Sequence, residues 1–326
     1  MSTRSLLLFF ALLIAPAATV AQPQASPDEQ KMAQAIATAP DAAGKAKAAA
    51  DFVRKYPKSS LRPIVAQQIA DHIHQITDGA QKLALAQQFQ TIFKEPAEEE
   101  MIMPDLLTGY AEAKRPDDAF TTGTTYLGQH PDSVSVLVEL MIIAADQAKL
   151  KNGKFIPQGE QYGMHAIELI EADKKPANMG DPTWKAYKDL LPGLYQSMGI
   201  IEMVKGDRAA TQARLTKATE LDPKDAFNYL LLSGTLNDDY QESAKRYQSM
   251  PDGPAKTAEL QKVLASLDRV IDSYAHFIAL SEGVAKFAPV RQQEMQDLEN
   301  YYKYRHNNSN AGMQQLIDKY KTPAKP

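Results

Sequence analysis

The sequence predicts an all-α protein, an α-α superhelix in which short helices pack side by side. Apolar residues recur every three or four positions, for example at Leu260, Leu264, Leu267 and Ile271, and this spacing places them on one face of a helix. Pro and Gly separate such stretches, as expected at helix ends. We find no convincing alternation of apolar and polar residues of the kind that a half-buried strand requires.

The first 21 residues have the pattern of a secretory signal peptide. Arg4 supplies a positive start, residues 6–14 form a short apolar run, and small residues precede Gln22. The apolar run is too short to span a bilayer, and no later stretch approaches the necessary length. We expect cleavage after Ala21 and no membrane span afterwards; the alternative is an uncleaved anchor.

Charge and composition restrict the partners and the location. The chain has 36 Lys and Arg, 40 Asp and Glu and no Cys, so its net charge is −4 and loss of Arg4 would make it about −5. A nucleic-acid partner is therefore not expected, because it requires a basic surface. Without Cys there is no disulfide framework and no thiolate metal site. We predict an exported bacterial protein, periplasmic or extracellular, with no cofactor.

The N-terminal third is predicted to begin with a linker and to continue as helices. Residues 22–30 are polar and contain proline, so we expect them to be disordered. The acidic residues 95–100 form a linker or a helix start. Helical spacing covers residues 41–56, 59–76 and 79–93. The stretch DFVRKYPKSSLRPIVAQQIA, residues 51–70, resembles the helical repeats of bacterial envelope-assembly proteins, in which a Tyr-Pro-x-Ser corner joins helix pairs.

The central region alternates helices with two predicted loops. Residues 134–150 form a strongly apolar helix, and residues 151–157 have the pattern of an inserted loop before its partner helix. A second loop, residues 173–181, is rich in Lys, Pro and Gly. Its last residue, Asp181, precedes a proline and is typical of an N-cap. Pro192 then marks a kink or the start of a new helix.

The pattern changes in the C-terminal region. Residues 255–281 have the spacing of one long helix with an apolar seam, and residues 289–305 that of another. Ser309 is expected to cap a last helix that covers the final apolar face, as a repeat array requires. We therefore predict a repeat array over residues 31–237. Residues 238–322 are predicted to form a C-terminal extension, a long hairpin with a capping helix.

Residues 194–232 carry the most regular pattern of the chain. A large aromatic residue, a small residue, a turn, a second small residue and a proline follow in order, at Tyr195, Gly199, Gly206, Ala218 and Pro223. Small residues let two helix backbones approach, Gly206 allows a left-handed helix end, and the proline stops the second helix. This order resembles a tetratricopeptide repeat (TPR), a helix–turn–helix unit of about 34 residues.

Neighbouring stretches extend the resemblance. The slot that holds Ala in TPR proteins holds Thr211 in the central unit, which is a departure, but it holds Ala119 in an earlier unit over residues 103–131. Other repeat positions of these flanking units are occupied by Leu106, Tyr110, Tyr126, Pro131, Tyr229, Leu232 and Ser233. The chain thus resembles a secreted bacterial TPR protein with an irregular, TPR-like solenoid; the alternative is a generic helical hairpin.

A search for catalytic and metal-binding motifs is negative. No stretch matches a nucleophile elbow, a phosphate loop, a dinucleotide fingerprint, a zinc helix or a calcium loop. His72 and His74 are two residues apart on a helix and so point to different faces. His165, Glu168 and Glu171 share a helix face by their spacing. No second cluster completes a site with them, so we predict no metal site and no catalysis.

Two aromatic features have both a structural and a functional interpretation. Residues 301–306 combine tyrosines with Lys303, Arg305 and His306 and could contact an anionic polymer, such as a glycan or a peptide carboxylate. Alternatively, Tyr301 and Tyr302 pack on the long helix, while the basic residues favour a helix C-terminus electrostatically. Trp184, the single Trp, is interpreted as a packing residue rather than a ligand platform.

The TPR resemblance also implies a groove, lined by the first helix of each repeat, that binds a peptide or a protein. The positions that it implies here are Thr108, Glu112, Gln196, Met203, Leu230, Asn237 and Asp238. Their polar, mildly acidic mixture suits a neutral or basic peptide. A second contact is expected at Tyr301, Lys303, Tyr304 and Arg305.

Two hypotheses for the function follow. The first is a non-enzymatic exported scaffold or adaptor that binds a protein or peptide partner in the bacterial envelope. The alternative is a solute- or glycan-binding protein, or an enzyme with an unrecognised site, built on a helical solenoid. Because the alternative needs polar groups that converge in a pocket, and the sequence indicates none, we favour the first.

Overall fold

A computed structural model describes residues 25–177 and 179–321; the predicted signal peptide, residues 1–21, and residues 22–24 lie outside these ranges. The described residues form α-helices, two short 3-10 helices and no β-strand, as predicted. Among these helices none combines the length and apolarity needed to cross a membrane. The α-helices are α1 (Pro27–Thr38), α2 (Ala42–Lys55), α3 (Arg62–His74), α4 (Gly79–Ile92), α5 (Pro96–Glu112), α6 (Pro116–Leu127), α7 (Val134–Lys149), α8 (Ile156–Glu171), α9 (Asp181–Asp189), α10 (Leu191–Lys205), α11 (Arg208–Leu221), α12 (Ala226–Ser249), α13 (Pro254–Leu280), α14 (Ala288–Arg305) and α15 (Met313–Lys319).

The chain divides into two compact units, Met1–Ile102 and Met103–Pro326. In the first unit, α1 packs on α2 and α3, and α4 also packs on α2 and α3. The core of this unit is apolar and includes Phe52, Phe89 and Phe93, all nearly inaccessible to solvent. The single array over residues 31–237 remains a prediction, and the division into two units falls inside that range, after Ile102. The sequence pattern is helical on both sides and gives no sign of this boundary.

α1 begins inside the stretch that was predicted to be disordered. The Ser26 hydroxyl accepts a hydrogen bond from the Glu29 N–H at 3.3 Å, and the Glu29 carboxylate accepts one from the Ser26 N–H at 2.6 Å. This reciprocal pair is a capping box, which satisfies two of the free N–H groups at a helix start. Pro27 occupies the first turn, where its missing N–H costs nothing. The linker prediction is wrong from Pro27 onward.

A buried ion pair joins α3 to the start of α5 within the first unit. Arg62 donates from Nε and Nη2 to the two carboxylate oxygens of Glu98, at 2.6 and 2.9 Å. The Glu98 side chain is 4% exposed, and its hydrogen bonds raise the pKa of Arg62. The same carboxylate accepts the Glu95 N–H at 3.0 Å. The acidic stretch 95–100 is thus a helix start, one of the two predicted alternatives.

The second unit is built from helices that pack in sequence as hairpins. α7 packs on α8, α10 on α11 and α12 on α13, and each pair has a short connection, so its two helices run antiparallel. Successive hairpins are also in contact: α10 packs on α7 and α8, α11 on α12, and both α14 and α15 on α13. Each hairpin therefore buries its apolar face against the next, which is the principle of a helical repeat array.

The central hairpin confirms the predicted close contact between α10 and α11. A Cβ atom added to Gly199 would lie 2.8 Å from Leu215 Cδ2, so the two backbones are closer than a larger residue would allow. Gly206 ends α10 in the left-handed conformation, with φ 82°, and Ala218 is fully buried. Tyr195 is also buried beside them. The repeat positions assigned from sequence thus have the expected packing roles.

Thr211 explains how the array tolerates a polar residue in the slot expected to hold Ala. Its side chain is fully buried, and its hydroxyl donates to the Asp207 carbonyl oxygen at 2.7 Å. A buried hydroxyl is costly only when it lacks a partner. In the earlier unit Ala119 is fully buried as predicted. Gly123 lies against Leu140 of α7, because a Cβ atom added to this glycine would be 2.8 Å from Leu140 Cδ1.

Residues 151–157 form a compact turn rather than the predicted inserted loop. A 3-10 helix, Gly153–Phe155, leads directly into α8 at Ile156. The Phe155 side chain is buried, and its ring stacks on that of Phe120 at a centroid distance of 4.4 Å. The loop prediction is wrong because it was based on the polar residues of this stretch, whereas the side chain of Phe155 belongs to the core.

Two predicted N-caps are wrong. α9 begins at Asp181 itself, with Gly180 as the N-cap, and the Asp181 carboxylate pairs with Lys175 instead of capping the helix. The Ser309 hydroxyl accepts the Ala311 N–H at 3.2 Å in a turn before α15, and Gly312, with φ 94°, is the N-cap. In both cases a nearby partner competes for the side chain. Of the two alternatives for Pro192, the new helix is correct, since α10 starts at Leu191.

α12 passes without interruption through the predicted boundary after residue 237. It extends to Ser249, and Leu236 and Tyr240 are buried in the same apolar cluster as α13. The division into an array and a C-terminal extension remains a prediction, and α12, whose apolar face continues past residue 237, belongs to both regions. The long helix and its successor are as predicted: α13 buries Leu267, Ile271 and others of the seam, and α14 follows it.

Candidate functional site

The two contact regions predicted from sequence meet on α12 and α14. The Tyr301 hydroxyl of α14 donates a hydrogen bond to Asn237 Oδ1 of α12 at 2.8 Å. The same hydroxyl accepts one from Gln241 Nε2, one turn further along α12, at 2.6 Å. Asn237 and Gln241 both lie on α12, the first helix of the α12/α13 hairpin, and the TPR resemblance places the groove on such first helices. The implied groove and the tyrosine-rich segment therefore form one surface.

Three tyrosine rings pack against one another at this surface. The Tyr301 ring lies parallel to that of Tyr274 on α13, with centroids 6.2 Å apart, and edge-on to that of Tyr240 on α12 at 5.4 Å. Both arrangements are favourable for aromatic pairs. Tyr240 and Tyr274 are buried, and burial raises the pKa of both hydroxyls. Both hydroxyls therefore remain neutral at physiological pH.

Glu294 is a partly buried carboxyl group on α14 that interacts with the Tyr274 side chain. Its Oε2 atom is inaccessible to solvent and has no hydrogen-bond partner within the described chain. Burial, and secondarily the charge of Asp297, raise the pKa of Glu294 to about 7. An acidic group in such surroundings changes its charge near neutral pH.

The exposed rim of the surface carries three further polar or aromatic groups. Asp238 of α12 is exposed, and Asp297 of α14 is half-buried. Tyr304, one turn beyond Tyr301, is 65% exposed. We define the α12–α14 surface as Asn237, Asp238, Gln241, Asp297, Tyr301 and Tyr304, with Glu294 beneath it. Phenol, amide and carboxylate groups in this arrangement can bind hydrogen-bond donors and cations.

The basic residues of the tyrosine-rich segment are committed to partners within the chain. Lys303 Nζ lies 2.5 Å from Glu299 Oε1. Arg305 donates to both carboxylate oxygens of Asp268, at 2.7 and 3.2 Å. Tyr302 is buried, and its hydroxyl donates to the Ala311 carbonyl oxygen at 3.1 Å. Lys303 and Arg305 thus have a structural role, but as members of ion pairs rather than through the helix-end electrostatics named in the structural interpretation.

The other predicted groove residues have different surroundings. Gln196 donates to Asn228 Oδ1 and to Asp225 Oδ2, at 2.6 and 3.0 Å, and so joins α10 to the start of α12. Thr108 donates to Glu139 Oε1 of α7 at 2.8 Å. Leu230 packs at the edge of the apolar cluster, whereas Glu112 and Met203 are exposed. Of these residues, Gln196, Thr108 and Leu230 hold helices together.

The histidine and glutamate residues that share a face of α8 do not converge. His165 Nε2 lies 2.8 Å from Asp132 Oδ1, Glu168 pairs with Lys174 at 3.6 Å, and Glu171 accepts a hydrogen bond from the Tyr195 hydroxyl at 2.8 Å. In residues 25–177 and 179–321, no group of three or more His, Asp or Glu side chains could hold a metal ion.

Trp184 is a packing residue, as predicted. Its side chain is 4% exposed, and its indole N–H donates to Asp173 Oδ1 at 2.7 Å. Asp173 also accepts from Lys188 Nζ at 2.9 Å, and both contacts lower its pKa, the lysine more strongly. This network holds α9 against the residues that precede it.

An apolar cleft of about 560 Å³ lies where α13 turns into α14. Its lining consists of Ser281, Gly283, Val284, Ala285, Ala288, Arg291, Gln292, Met295 and Gln296. This lining contains no carboxylate or imidazole group. Arg291 donates from Nε to the Ile278 carbonyl oxygen at 3.1 Å, which occupies its guanidinium in part.

Sequence reasoning did not identify Tyr240, Gln241, Tyr274, Glu294 or Asp297 as part of the site. A local signal was present on α14, because Glu294, Asp297 and Tyr301 are spaced by three and four residues and therefore lie on one face. Gln241 likewise follows Asn237 by one turn. No local signal could place Tyr274 beneath Tyr301, since that contact depends on how α13 and α14 pack.

Comparison with known proteins shows a similarity in structure but none in sequence. No family model matches the sequence, and no curated protein matches it. Among solved structures, the chain is similar to a tetratricopeptide repeat protein from Parabacteroides merdae ATCC 43184, at 12% sequence identity and a TM-score of 0.42. The match covers 89% of this chain and 96% of that one. The support for helical repeats comes instead from the packing of Gly199, Gly206 and Ala218 in this chain.

Proposed function

We propose that this protein is a non-enzymatic scaffold or adaptor that binds a protein or peptide partner in the bacterial envelope through the α12–α14 surface. One observation carries the proposal: Tyr301 of α14 and Asn237 of α12 are joined by a hydrogen bond, and the ring of Tyr304, one turn beyond Tyr301, is exposed. Aromatic residues with a polar end are favoured at protein interfaces, because they combine apolar area with hydrogen bonding.

The packing of the repeats supports binding over catalysis. The apolar side chains of α11 to α15 are largely buried in contacts between helices, and Asn237, Gln241 and Tyr301 of the α12–α14 surface are joined by hydrogen bonds. A surface of this kind is suited to recognition, whereas catalysis needs a nucleophile, a base or a metal positioned in a pocket. A helical repeat fold is compatible with many functions. The proposal therefore rests on the residues of the α12–α14 surface and not on the fold.

The proposed location depends on the first residues of the sequence. Arg4, the apolar run over residues 6–14 and the small residues before Gln22 support export and cleavage. N-terminal sequencing of the protein from an osmotic-shock fraction tests this part. A mature chain that begins at Gln22 is expected; a chain that still begins at Met1 and stays with the membranes would contradict it.

Site-specific photo-crosslinking in bacterial cells tests the binding surface. A benzophenone amino acid is placed at Tyr304, and a control is placed at Leu150, which is similarly exposed (65% and 74%) but lies at the end of α7. We expect one reproducible adduct from position 304, identified by mass spectrometry, and none from position 150. Replacement of Asn237 and Asp238 by Ala should weaken that adduct while helicity stays the same.

Two outcomes would contradict the proposal. Equal adducts from positions 304 and 150 would indicate non-specific proximity rather than a binding surface. An adduct that is unchanged by the Asn237→Ala and Asp238→Ala double replacement would exclude this part of the α12–α14 surface.

A further inference from the structure

The positive charges of Lys303 and Arg305 on α14 are already neutralised. Lys303 is paired with Glu299 and Arg305 with Asp268, the latter through two hydrogen bonds. An anionic ligand would have to compete with both intrachain pairs. The sequence-based suggestion that this segment contacts an anionic polymer therefore loses its chemical basis.

The negative charges of the same surface are not neutralised. Neither Asp238 nor Asp297 forms a salt bridge with a cation of residues 25–177 or 179–321, whereas burial raises the pKa of Glu294 to about 7, so that this carboxyl is only partly charged at neutral pH. Within these ranges Asp297 accepts only the Gln293 amide, at 3.2 Å, and Glu294 Oε2 has no partner. Asp238 on α12 is exposed. The surface therefore carries carboxylate groups that could accept a cation from a binding partner.

The tyrosine rings supply a second feature that attracts cations. The face of an aromatic ring carries a partial negative charge, which binds a guanidinium or an ammonium group within about 6 Å. Tyr304 is mostly exposed, so one of its faces is open to solvent. Tyr301, one turn before it, is half-buried beside Tyr240 and Tyr274. Aromatic faces and free carboxylates thus occur together along α14.

We infer that the α12–α14 surface recognises an Arg or Lys side chain of its partner, which stacks on Tyr304 and pairs with Asp297. This inference rests on the proposed function and specifies the chemistry of the partner: a peptide segment that carries at least one basic residue. Arg is the better match, because its planar guanidinium stacks on a ring and pairs with a carboxylate at the same time.

One cation on α12 works against this recognition. Lys245, one turn beyond Gln241, is exposed and has no ion pair among the described residues. Its charge repels a basic partner at that end of the surface. This position offers a variant with the opposite expected effect, because removal of the charge in Lys245→Gln should strengthen binding of a basic peptide.

Selection from a phage-displayed library of random dodecapeptides tests the inference on the full chain. We expect the peptides retained by the wild-type protein, and lost on Tyr304→Ala, to be enriched in Arg or Lys. The selected peptides are then synthesised with a fluorescent label, and with citrulline in place of Arg or acetyl-lysine in place of Lys. Fluorescence anisotropy should show a loss of affinity of about tenfold on that neutral replacement.

Protein variants complete the test. Asp297→Asn should abolish the preference for the charged peptide over its neutral form, and Lys245→Gln should increase it. Asp252→Asn is the matched control, because it removes the same charge from an exposed residue that pairs with Lys256 at the start of α13. It should leave affinity unchanged. Circular dichroism of each variant verifies that the helices are retained.

Three results would overturn the inference: selection of acidic or purely apolar peptides, no enrichment over a protein-free column, or equal binding by wild type and Asp297→Asn. The proposed function is judged separately by the cross-link from position 304. If that cross-link forms with a partner whose contacting segment lacks Arg and Lys, the surface stands as a binding site and the basic specificity is wrong.

Discussion

Tyr301 and Asn237 are 64 residues apart in the sequence, and a hydrogen bond of 2.8 Å joins their side chains. The bond connects α14 directly to α12, and both helices also pack on α13. Gln241 donates to the same hydroxyl, so one phenolic oxygen links two turns of α12. The orientation of the exposed Tyr304 ring depends on this connection, because Tyr304 follows Tyr301 on the same helix.

Removal of the Tyr301 hydroxyl should weaken the contact between α12 and α14 without creating a cavity in the core. In Tyr301→Phe the ring keeps its contacts with Tyr240 and Tyr274, but the two hydrogen bonds are lost. Each contributes on the order of 0.5–1.5 kcal/mol, so the free energy of unfolding should fall by about 1–2 kcal/mol. Chemical denaturation measures it. Tyr304→Phe is the control and should be neutral; a neutral Tyr301→Phe would contradict the hydrogen-bond geometry.

Glu294→Gln should stabilise the protein at alkaline pH but not at acidic pH. Burial raises the pKa of Glu294 from an ordinary 4.5 to about 7, so folding disfavours the charged form. The groups that face it are Tyr274 of α13 and Asp297 and Tyr301 of α14. Below about pH 4.5 the carboxyl is protonated in both states and carries no penalty. As the pH rises from 4.5 through 7, the unfolded chain ionises first and the wild type loses stability.

The size of this effect is up to about 3 kcal/mol at pH 8, since each pKa unit corresponds to about 1.4 kcal/mol. The Gln variant has no charge to bury, so the difference between its stability and that of the wild type isolates Glu294 from all other titrating groups. Thermal unfolding of both proteins between pH 4 and pH 8 measures that difference. A difference that is constant with pH would show that Glu294 is ionised normally in the folded state.

Gly159→Ala should destabilise the second unit although Ala is the better helix former. The added Cβ would lie 2.1 Å from Ala144 Cβ of α7, so α7 and α8 must move apart. Overpacking of this kind costs about 1–3 kcal/mol, which exceeds the gain of about 1 kcal/mol in helix propensity. Gly234→Ala in α12 is the control, because a Cβ there has no neighbour within 4 Å. Differential scanning calorimetry should show a lower Tm for the first variant and an unchanged or higher Tm for the second.

Glu98→Ala should destabilise the first unit in particular. The variant leaves the Arg62 guanidinium, 13% exposed, without its bidentate partner, and removal of one member of a buried ion pair costs about 3–5 kcal/mol. Replacement of both residues, Arg62→Met with Glu98→Leu, removes the unpaired charge and should recover much of the loss. Hydrogen exchange followed by mass spectrometry should show faster exchange in α3 and little change in α13. Equal acceleration in both helices would contradict a local role for the pair.

Residues close in sequence determined the helices and the central hairpin. Tyr195, Gly199, Gly206 and Ala218 were assigned their roles from spacing alone, and the structure gives them those roles. The reason is that a helix end and a hairpin contact depend on residues within about 30 positions of one another. The capping box of Ser26 and Glu29 was also readable from sequence, through its serine three residues before a glutamate, but the flanking prolines favoured a linker.

The N-cap predictions for Asp181 and Ser309 were wrong because each side chain has another partner in the folded chain. Asp181 was predicted as an N-cap, yet its carboxylate pairs with Lys175, six residues earlier and across a turn. Ser309 was predicted in the same way, yet it bonds within its own turn. Propensity rules state which residue types suit a cap, but they do not include the competing partners that the folded chain brings near.

The sequence by itself determined an all-α chain of packed hairpins, its repeat positions, and the polar residues Asn237 and Tyr301. Only the tertiary structure decided that those two residues touch, that the Tyr274 ring packs against Tyr301, and that Glu294 is partly buried with no cation partner in the described part of the chain. The tertiary structure also showed that the chain divides into two compact units after Ile102. The physical reason is range: helix formation is governed by contacts three or four residues apart, whereas the α12–α14 surface depends on how three helices pack, and that packing sums many weak contacts between residues far apart in the chain.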